Sequence, residues 1–157
     1  MVSLEFFKQE DFSELHYVLD ENQLQYTSTV EQALQRIEER NDSNAFAITV
    51  FDDAKPCGFF VLDFGEDKFE LTDNKKSVLL RSLSINPNVQ GKGIGKTAMQ
   101  IVDDFVKKNF PDCNEIVLAV NQKNNSACHI YLKAGYMYKG KSRMGRSGLQ
   151  YLMYKKL

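Results

Sequence analysis

The sequence lacks tryptophan altogether and contains little proline, cysteine or histidine. Its 157 residues include 3 Pro, 3 Cys and 2 His. Cys57, Cys113 and Cys128 are odd in number and form no C-x-x-C pair, which argues against both a disulfide framework and a zinc site. We therefore expect no metal and a reducing, cytoplasmic environment.

The chain also lacks a strong net charge and a long apolar run. The 20 basic and 21 acidic residues leave a formal charge of −1, so no overall field attracts nucleic acid or an anionic membrane surface. The first residues have neither the basic patch nor the apolar stretch of a signal peptide, and no run reaches the roughly 18 apolar residues of a membrane-spanning helix. Neither nucleic acid nor membrane is an expected partner.

What remains is the composition of an ordinary globular protein. Hydrophobic residues make up 43% of the chain and charged residues 26%, close to the averages for folded domains. The length suits one hydrophobic core. We therefore predict a single domain over residues 1–157.

Apolar periodicity predicts four helices. Residues 11–22 carry Leu15, Val18 and Leu19 at helical spacing, and Thr29 can cap a second helix. A third amphipathic helix runs from Ile94 and ends before Pro111. The fourth is capped by Asn124 or Asn125 and is followed by Gly135 at its carboxyl end.

Short β-branched and apolar runs predict the strands. They cover residues 4–7, 45–51, 58–64, 78–85, 116–120, 136–141 and 149–155. The resulting order, β-αα-β-β-β-α-β-α-β-β, predicts a mixed α/β domain of three layers, with a central twisted mixed sheet of six to seven strands and helices on both faces.

The most informative segment lies between the strand at 78–85 and the next helix. It reads Gln90-Gly91-Lys92-Gly93-Ile94-Gly95-Lys96-Thr97. Its three glycines remove the side chains that would keep an anion away from the backbone. Amides at a helix start have no intrahelical partners and lie at the positive end of the helix dipole, so a diphosphate is the natural ligand.

The positions of the glycines exclude two common nucleotide loops. A Walker A loop requires glycine where this chain has Gln90, and the dinucleotide fingerprint requires a third glycine where it has Lys96. The spacing that does fit is Q-x-x-G-x-G, from Gln90 to Gly95, which resembles the acetyl-CoA pyrophosphate loop of the GNAT superfamily of N-acetyltransferases. The likeness continues from Asn121 to Tyr136, which resembles the family's N-x-x-N-x-x-A-x-x-x-Y-x-x-x-G-[FY] motif.

This resemblance implies acetyl-CoA as co-substrate and assigns its binding residues. The pantetheine arm is expected to lie along the fourth strand, against Leu83, Ser84 and Ile85. Asn124 is expected to hydrogen-bond that arm, with Asn121 and Ser126 nearby. The pyrophosphate is expected on the backbone of Gln90, Gly91, Lys92, Gly93, Ile94, Gly95, Lys96 and Thr97.

By the same resemblance, Tyr131 is the general acid. A departing CoA thiolate needs a proton or a strong hydrogen bond, and a phenol with a pKa of about 10 is protonated at neutral pH. The base stays open, because residues 80–84 contain no carboxylate. We interpret His16 and His129 as structural, and Cys128 as a packing residue rather than a covalent intermediate.

The acceptor amine is less defined by the sequence. Residues 22–26 are similar to the acceptor side of bacterial spermine/spermidine acetyltransferases, which raises a polyamine as acceptor. Glu21, Glu31, Asp63 and Glu70 are the carboxylates that could hold such a polycation. The alternatives are a protein lysine or N-terminus as acceptor, or an acetyl-CoA sensor without activity. The resemblance also raises a homodimer.

Overall fold

The computed structural model describes all residues from 1 to 157. The strands are β1 Val2–Phe6, β2 Ala45–Asp52, β3 Lys55–Asp63, β4 Ser77–Ile85, β5 Glu115–Asn121, β6 Met137–Gly145 and β7 Gly148–Lys156. The α-helices are α1 Phe12–Leu15, α2 Glu21–Tyr26, α3 Val30–Arg40, α4 Ile94–Asn109 and α5 Asn125–Lys133. Short 3-10 turns cover Gln9–Asp11, Glu66–Glu70 and Pro87–Val89.

The single helix predicted over residues 11–22 is wrong. Instead, α1 ends at Leu15, and the Asp20 side chain starts α2 by accepting a hydrogen bond from the Gln23 amide at 2.8 Å. The Asp20 backbone amide in turn donates to the Gln23 side-chain oxygen, which completes a capping box and fixes a new helix start. Leu19 is buried while Val18 is 87% exposed, so their spacing did not mark a helix face.

One seven-stranded sheet forms the centre of the molecule, in the order β1-β2-β3-β4-β5-β7-β6. Only β4 and β5 are parallel, and they pair only from Ser77 to Leu79 against Glu115 to Val117. Beyond these residues no backbone hydrogen bonds pair the two strands, and the strands separate. The sheet therefore splits open at the carboxyl ends of its two central strands.

Both faces of the sheet are covered by helices. Successive residues of a strand face opposite sides, and β3 buries Phe59 and Val61 beneath α1 and α3, in one cluster with Leu15 and Val30. Phe60 and Leu62 face the other way, into the larger core formed with α4 and α5. The predicted three-layer α/β architecture is confirmed. No helix combines the length and apolar character needed to cross a membrane.

Candidate active site

A cleft of about 1130 Å³ occupies the split between β4 and β5. Its walls come from β4, β5, the first turns of α4 and α5, and the β6–β7 turn, while α2 lines the opposite side. The volume is slightly above the range of about 300–1,000 Å³ that is usual for small-molecule sites. The divergence of the two parallel strands is therefore the feature that creates the site.

A β-bulge deforms β4 beside this cleft. Phe59 pairs with Ser84 and Val61 pairs with Arg81, so Ser82 and Leu83 together lie opposite Phe60. Ser82 has a φ of 61°, which is left-handed and uncommon for serine. Because a bulge bends and twists its strand, it helps to turn β4 away from β5. Nothing in the sequence indicated the bulge.

The glycine loop has the backbone of an anion site. Gly91 and Gly93 have φ values of 81° and 76°, and a Cβ added at either would meet nothing within 4 Å. Gly93 is the N-cap of α4 and no side chain caps the helix; its first backbone bond runs from the Thr97 amide to the Gly93 carbonyl. The preceding amides of the turn thus have no helical partner, and the helix dipole favours an anion there.

Gly95 differs from the other two glycines in its surroundings. It is buried in the first turn of α4, and a Cβ there would lie 3.4 Å from Ile130 Cδ1 and 3.6 Å from Ile85 Cγ1. These are ordinary van der Waals distances, so neither packing nor a left-handed backbone requires glycine at this position.

Most of the predicted donor-site residues line the cleft, but two do not. Lys92 and Thr97 lie outside its lining. The predicted residues that line it are Leu83, Ser84, Ile85, Gln90, Gly91, Gly93, Ile94, Gly95, Lys96, Asn121, Asn124, Ser126 and Tyr131. The structure thus brings the two sequence motifs to one cavity.

The carbonyls of Ser84 and Ile85 already accept hydrogen bonds from side chains. The Tyr17 hydroxyl donates to the Ser84 carbonyl at 3.2 Å. Gln23 Nε2 and Gln90 Nε2 both donate to the Ile85 carbonyl at 3.3 Å. Sequence reasoning assigned neither Tyr17 nor Gln23 to the site: Tyr17 lies in the segment predicted as one helix, and Gln23 directly follows that segment. A ligand arm that bonds to the Ile85 carbonyl would compete with these amides.

The two asparagines of the second motif have different partners. Asn124 Oδ1 accepts from the Ala127 amide at 3.3 Å, so Asn124, one of the two predicted candidates, is the cap of α5. Asn121 is buried; its amide donates to the Ser147 carbonyl at 3.0 Å and its oxygen accepts from the Lys123 amide at 2.9 Å. Asn121 therefore holds the β6–β7 turn in place, whereas Asn124 lines the cleft and its amide nitrogen makes no hydrogen bond with the protein.

Tyr131 lies on the cleft wall with only 7% of its surface exposed. Its ring packs edge-on against Tyr136, with centroids 5.5 Å apart. Burial raises the pKa of the Tyr131 phenol well above its ordinary value, and nearby Cys128 raises it further. The phenol is therefore fully protonated at neutral pH and retains a proton to donate.

The other titratable candidates are less suitably placed. His16 stacks on Phe12, is exposed and does not line the cleft. His129 lies on the exposed rim of the cleft. The Cys128 thiol is outside the lining, contacts the Asn121 carbonyl at 3.6 Å, and has a pKa raised by burial, which suits packing rather than nucleophilic attack. No group of three or more metal-ligating side chains comes together.

Ion pairs occupy the end of the cleft beyond the bulge. Arg81 contacts buried Asp63 at 3.2 Å and Asp67 at 2.8 Å. Across the cleft, Arg143 pairs with Glu70. Burial by itself raises the pKa of Asp63, but hydrogen bonds from Arg40 and the Gly65 amide, with the charge of Arg81, lower it below its usual value. Asp63 is therefore a charged anchor for arginines.

The sequence matches a known family over most of its length. Residues 9–136 match the family described as Acetyltransferase (GNAT) family. A relative from Bacillus subtilis strain 168, the uncharacterised N-acetyltransferase YbbJ, is 34% identical over 155 residues, which cover 98% of this chain and 96% of the relative. The fold and the site together define an acyltransferase that uses acetyl-CoA.

Two solved structures share the whole fold at low sequence identity. An aminoglycoside acetyltransferase in complex with coenzyme A superimposes with a TM-score of 0.79 at 16% identity, covering 99% of this chain and 95% of the other. Spermidine N-acetyltransferase from Vibrio cholerae, in complex with CoA and spermine, gives a TM-score of 0.71 at 22% identity, with the same coverage of 99% and 95%. The chain belongs to the GNAT family of acetyltransferases.

Proposed function

We propose that the protein transfers the acetyl group of acetyl-CoA to a primary amine of a small molecule, by direct attack of the amine on the thioester. A C–N bond forms, the C–S bond breaks, and the CoA sulfur leaves as a thiolate. The observation that carries this proposal is the position of Tyr131, a buried and protonated phenol, in the same cleft as the uncapped start of α4.

In this mechanism the glycine loop binds the pyrophosphate and β4 binds the pantetheine arm. The residues are those predicted above, with Asn124 offering its free amide nitrogen. Tyr131 donates to the departing sulfur, which lowers the cost of forming a thiolate. Sequence motif, cleft lining and phenol protonation each support this assignment.

The amine must lose a proton before or during the attack, since an ammonium has no lone pair. No free carboxylate of β4 faces the cleft, and the only glutamate lining it, Glu70, is paired with Arg143. We infer that solvent takes the proton through the polar wall that Ser28 and Ser82 form, whose hydroxyls lie 3.3 Å apart.

A contact across the cleft favours a small acceptor over a folded protein. The Ser147 hydroxyl donates to the Gln25 carbonyl at 2.8 Å and joins the β6–β7 turn to α2. A lysine on a protein surface or a protein N-terminus would need an open groove here. That alternative therefore requires this contact to break, whereas a small molecule does not.

A polyamine remains the acceptor that the likeness in residues 22–26 suggests, and one structural neighbour was solved with spermine. The charges of the cleft give this candidate little support. Glu21 and Glu31 lie outside the lining. Asp63 is buried against two arginines, and Glu70 pairs with Arg143. The one other carboxylate of the lining, Asp20, caps α2, so none is left at this end to hold the second ammonium of a polycation.

We also propose that the protein is cytoplasmic and forms a homodimer. Free thiols at Cys57, Cys113 and Cys128 suit the reducing cytoplasm. A homodimer is supported by β6, which is the edge of the sheet and exposes Met137, Tyr138 and Met144. Light scattering over a range of concentrations tests it, and a monomer at high micromolar concentration would contradict it.

The proposal is tested by measuring ligand binding and turnover separately. Calorimetry should detect saturable binding of CoA and none of ATP or NAD. A screen of polyamines, amino acids, aminoglycosides and peptides, monitored by release of the CoA thiol, should then find an amine that is turned over. Binding of CoA with no turnover of any amine would instead indicate a sensor without activity.

A further inference from the structure

We propose that the acceptor carries an anionic group, a carboxylate or a phosphate, and that Arg36 and Arg146 bind it. The inference rests on the proposed function, because it describes the acceptor half of the same site. It follows from the charged side chains at this end of the cleft, most of which are already in ion pairs.

Arg36 lies on α3, beside the bulge in β4. It lines the main cleft and also an adjoining cavity of about 310 Å³ that Arg81 and Ser82 share. Its side chain makes no ion pair, and the residue is exposed. The position beyond the bulge places this guanidinium at the acceptor end, far along β4 from the glycine loop.

Arg146 lies in the tight turn between β6 and β7, on the other side of the cleft. It also lines the cavity and makes no ion pair. The adjacent Ser147 is fixed by two contacts, because its hydroxyl donates to the Gln25 carbonyl and its carbonyl accepts from Asn121. The turn that carries Arg146 is therefore held against the cleft.

Most acidic groups around these two arginines are already paired with other cations, and the unpaired Glu39 lines only the adjoining cavity, not the main cleft. Glu70 pairs with Arg143, Asp67 pairs with Arg81, and buried Asp63 is shared by Arg40 and Arg81. The remaining carboxylate of the lining, Asp20, caps α2 on the side nearer Ile85. Within the lining of the main cleft, the unpaired charges at the acceptor end are thus both positive.

This arrangement selects between classes of amine. A second ammonium would meet two guanidiniums and no free carboxylate, which is unfavourable. A carboxylate or phosphate would replace water around them and accept paired hydrogen bonds from the planar guanidinium fork. The anion would anchor one end of the acceptor while its amine, at the other end, reaches the thioester. An amino acid and a phosphorylated amino alcohol both have this design.

The test compares matched acceptors that differ only in the anion. Each amino acid is paired with its own amide, and O-phosphoethanolamine is paired with ethanolamine, so that the two arms separate carboxylate from phosphate; spermidine represents the polycations. We expect kcat/KM to favour the anionic member of at least one arm by about tenfold or more, the usual worth of a hydrogen bond to a charged group. Arg36→Gln and Arg146→Gln should each reduce that preference by about tenfold.

Two controls keep the interpretation specific. Arg36→Lys and Arg146→Lys keep the charge but lose the fork, and should recover only part of the preference. Lys107→Gln removes a positive charge from an exposed position on α4, outside the cleft, and should change nothing. Preference for amides or spermidine, or an unchanged preference in both glutamine variants, would overturn the inference while leaving the acetyltransferase function intact.

A binding measurement decides the matter if no amine is turned over. Calorimetry on the protein saturated with CoA compares N-acetylglycine with N-acetylglycinamide, and inorganic phosphate serves as the phosphate probe. Tighter binding of either anionic probe, lost in the Arg36→Gln and Arg146→Gln variants, would support the anion site even though the proposed catalysis had failed. Equal binding of acid and amide with no binding of phosphate would refute it.

Discussion

The hydroxyl of Tyr17 lies 2.6 Å from Ser84 Oγ and donates to the Ser84 carbonyl. The contact joins the linker between α1 and α2 to the strand that is expected to bind the pantetheine arm. Burial raises the pKa of Tyr17, so the phenol keeps its proton for this bond. Tyr17 thus helps to position α2 over the cleft, together with the contacts of Gln23 and Gln25.

Tyr17→Phe should lower the free energy of unfolding by about 1 kcal/mol, since it removes a part-buried hydrogen bond and leaves the Ser84 carbonyl with one partner fewer. Urea unfolding measures the change. Tyr26→Phe is the matched control, because the Tyr26 hydroxyl makes no hydrogen bond with the protein, and it should shift stability by less. Equal effects of the two substitutions would show that the Tyr17–Ser84 bond contributes nothing.

Tyr131→Phe should reduce kcat by about a hundredfold or more, the scale of lost general-acid catalysis, while leaving the Kd for CoA nearly unchanged. Steady-state kinetics and calorimetry provide the two values. Tyr136→Phe is a close control: its ring packs on Tyr131, and its buried hydroxyl has no hydrogen-bond partner. Removing that hydroxyl should leave kcat intact. If both variants were fully active, Tyr131 would be a packing residue.

Gly93→Ala should weaken CoA binding by about tenfold or more, because the new Cβ projects from the turn that faces the anion and strains a left-handed backbone. Gly140→Ala separates these two causes. Gly140 has a φ of 85°, similar to the 76° of Gly93, and a Cβ at either position would meet nothing within 4 Å. Gly140, however, lies on β6 outside the cleft. Both variants should lose similar stability, of about 1 kcal/mol. Only Gly93→Ala should lose affinity for CoA. If both variants lost affinity, the cause would be impaired folding rather than a changed anion site.

Asp63→Asn should lower stability by about 1 to 3 kcal/mol at pH 7, less than for a wholly buried pair because its two arginine partners are part-exposed. The pKa of Asp63 is lowered in the folded state. Its contribution is therefore complete above the unfolded pKa of about 3.9 and disappears as the pH falls through the folded pKa. Urea unfolding of both proteins should give a difference at pH 7 that shrinks below about pH 4. A difference independent of pH would argue against the ion pairs.

The rate of acetyl transfer should rise with pH as the acceptor amine loses its proton. No descending limb should follow within the neutral and mildly basic range, because burial raises the pKa of Tyr131 and the acid form persists. The measurement is kcat/KM from about pH 6 to about pH 9. A fall near about pH 8 in the wild type that vanished in Tyr131→Phe would mean that the phenol ionises much more easily than its burial implies.

Local sequence signals predicted the parts of the molecule that depend on neighbouring residues. The glycine turn, the Asn124 cap and the periodicity of α4 are each determined within a few residues of the chain. What the sequence did not reveal depends on contacts between distant residues. Tyr17 and Ser84 are 67 positions apart, and Ser147 and Gln25 are 122 apart.

The bulge at Ser82 and the pairing of charges at the acceptor end also depend on contacts between distant residues. A serine with positive φ has no distinctive sequence pattern, and it becomes visible only in the pairing of β3 with β4. The carboxylates offered for a polyamine looked free in the sequence because their arginine partners lie on other elements, as Arg40 and Arg81 do for Asp63. Electrostatic complementarity is a property of the folded arrangement.

The short pairing of β4 with β5 gives the donor a structural role as well as a chemical one. Without ligand, a four-stranded half, β1 to β4, is joined to a three-stranded half by a ladder of only three residue pairs. An arm of acetyl-CoA lying in the gap between β4 and β5 would contact both halves and hold them together. A ligand that binds only the folded form stabilises it. The co-substrate should therefore make the junction of the two halves more rigid before each turnover, and release of CoA should make it more flexible again.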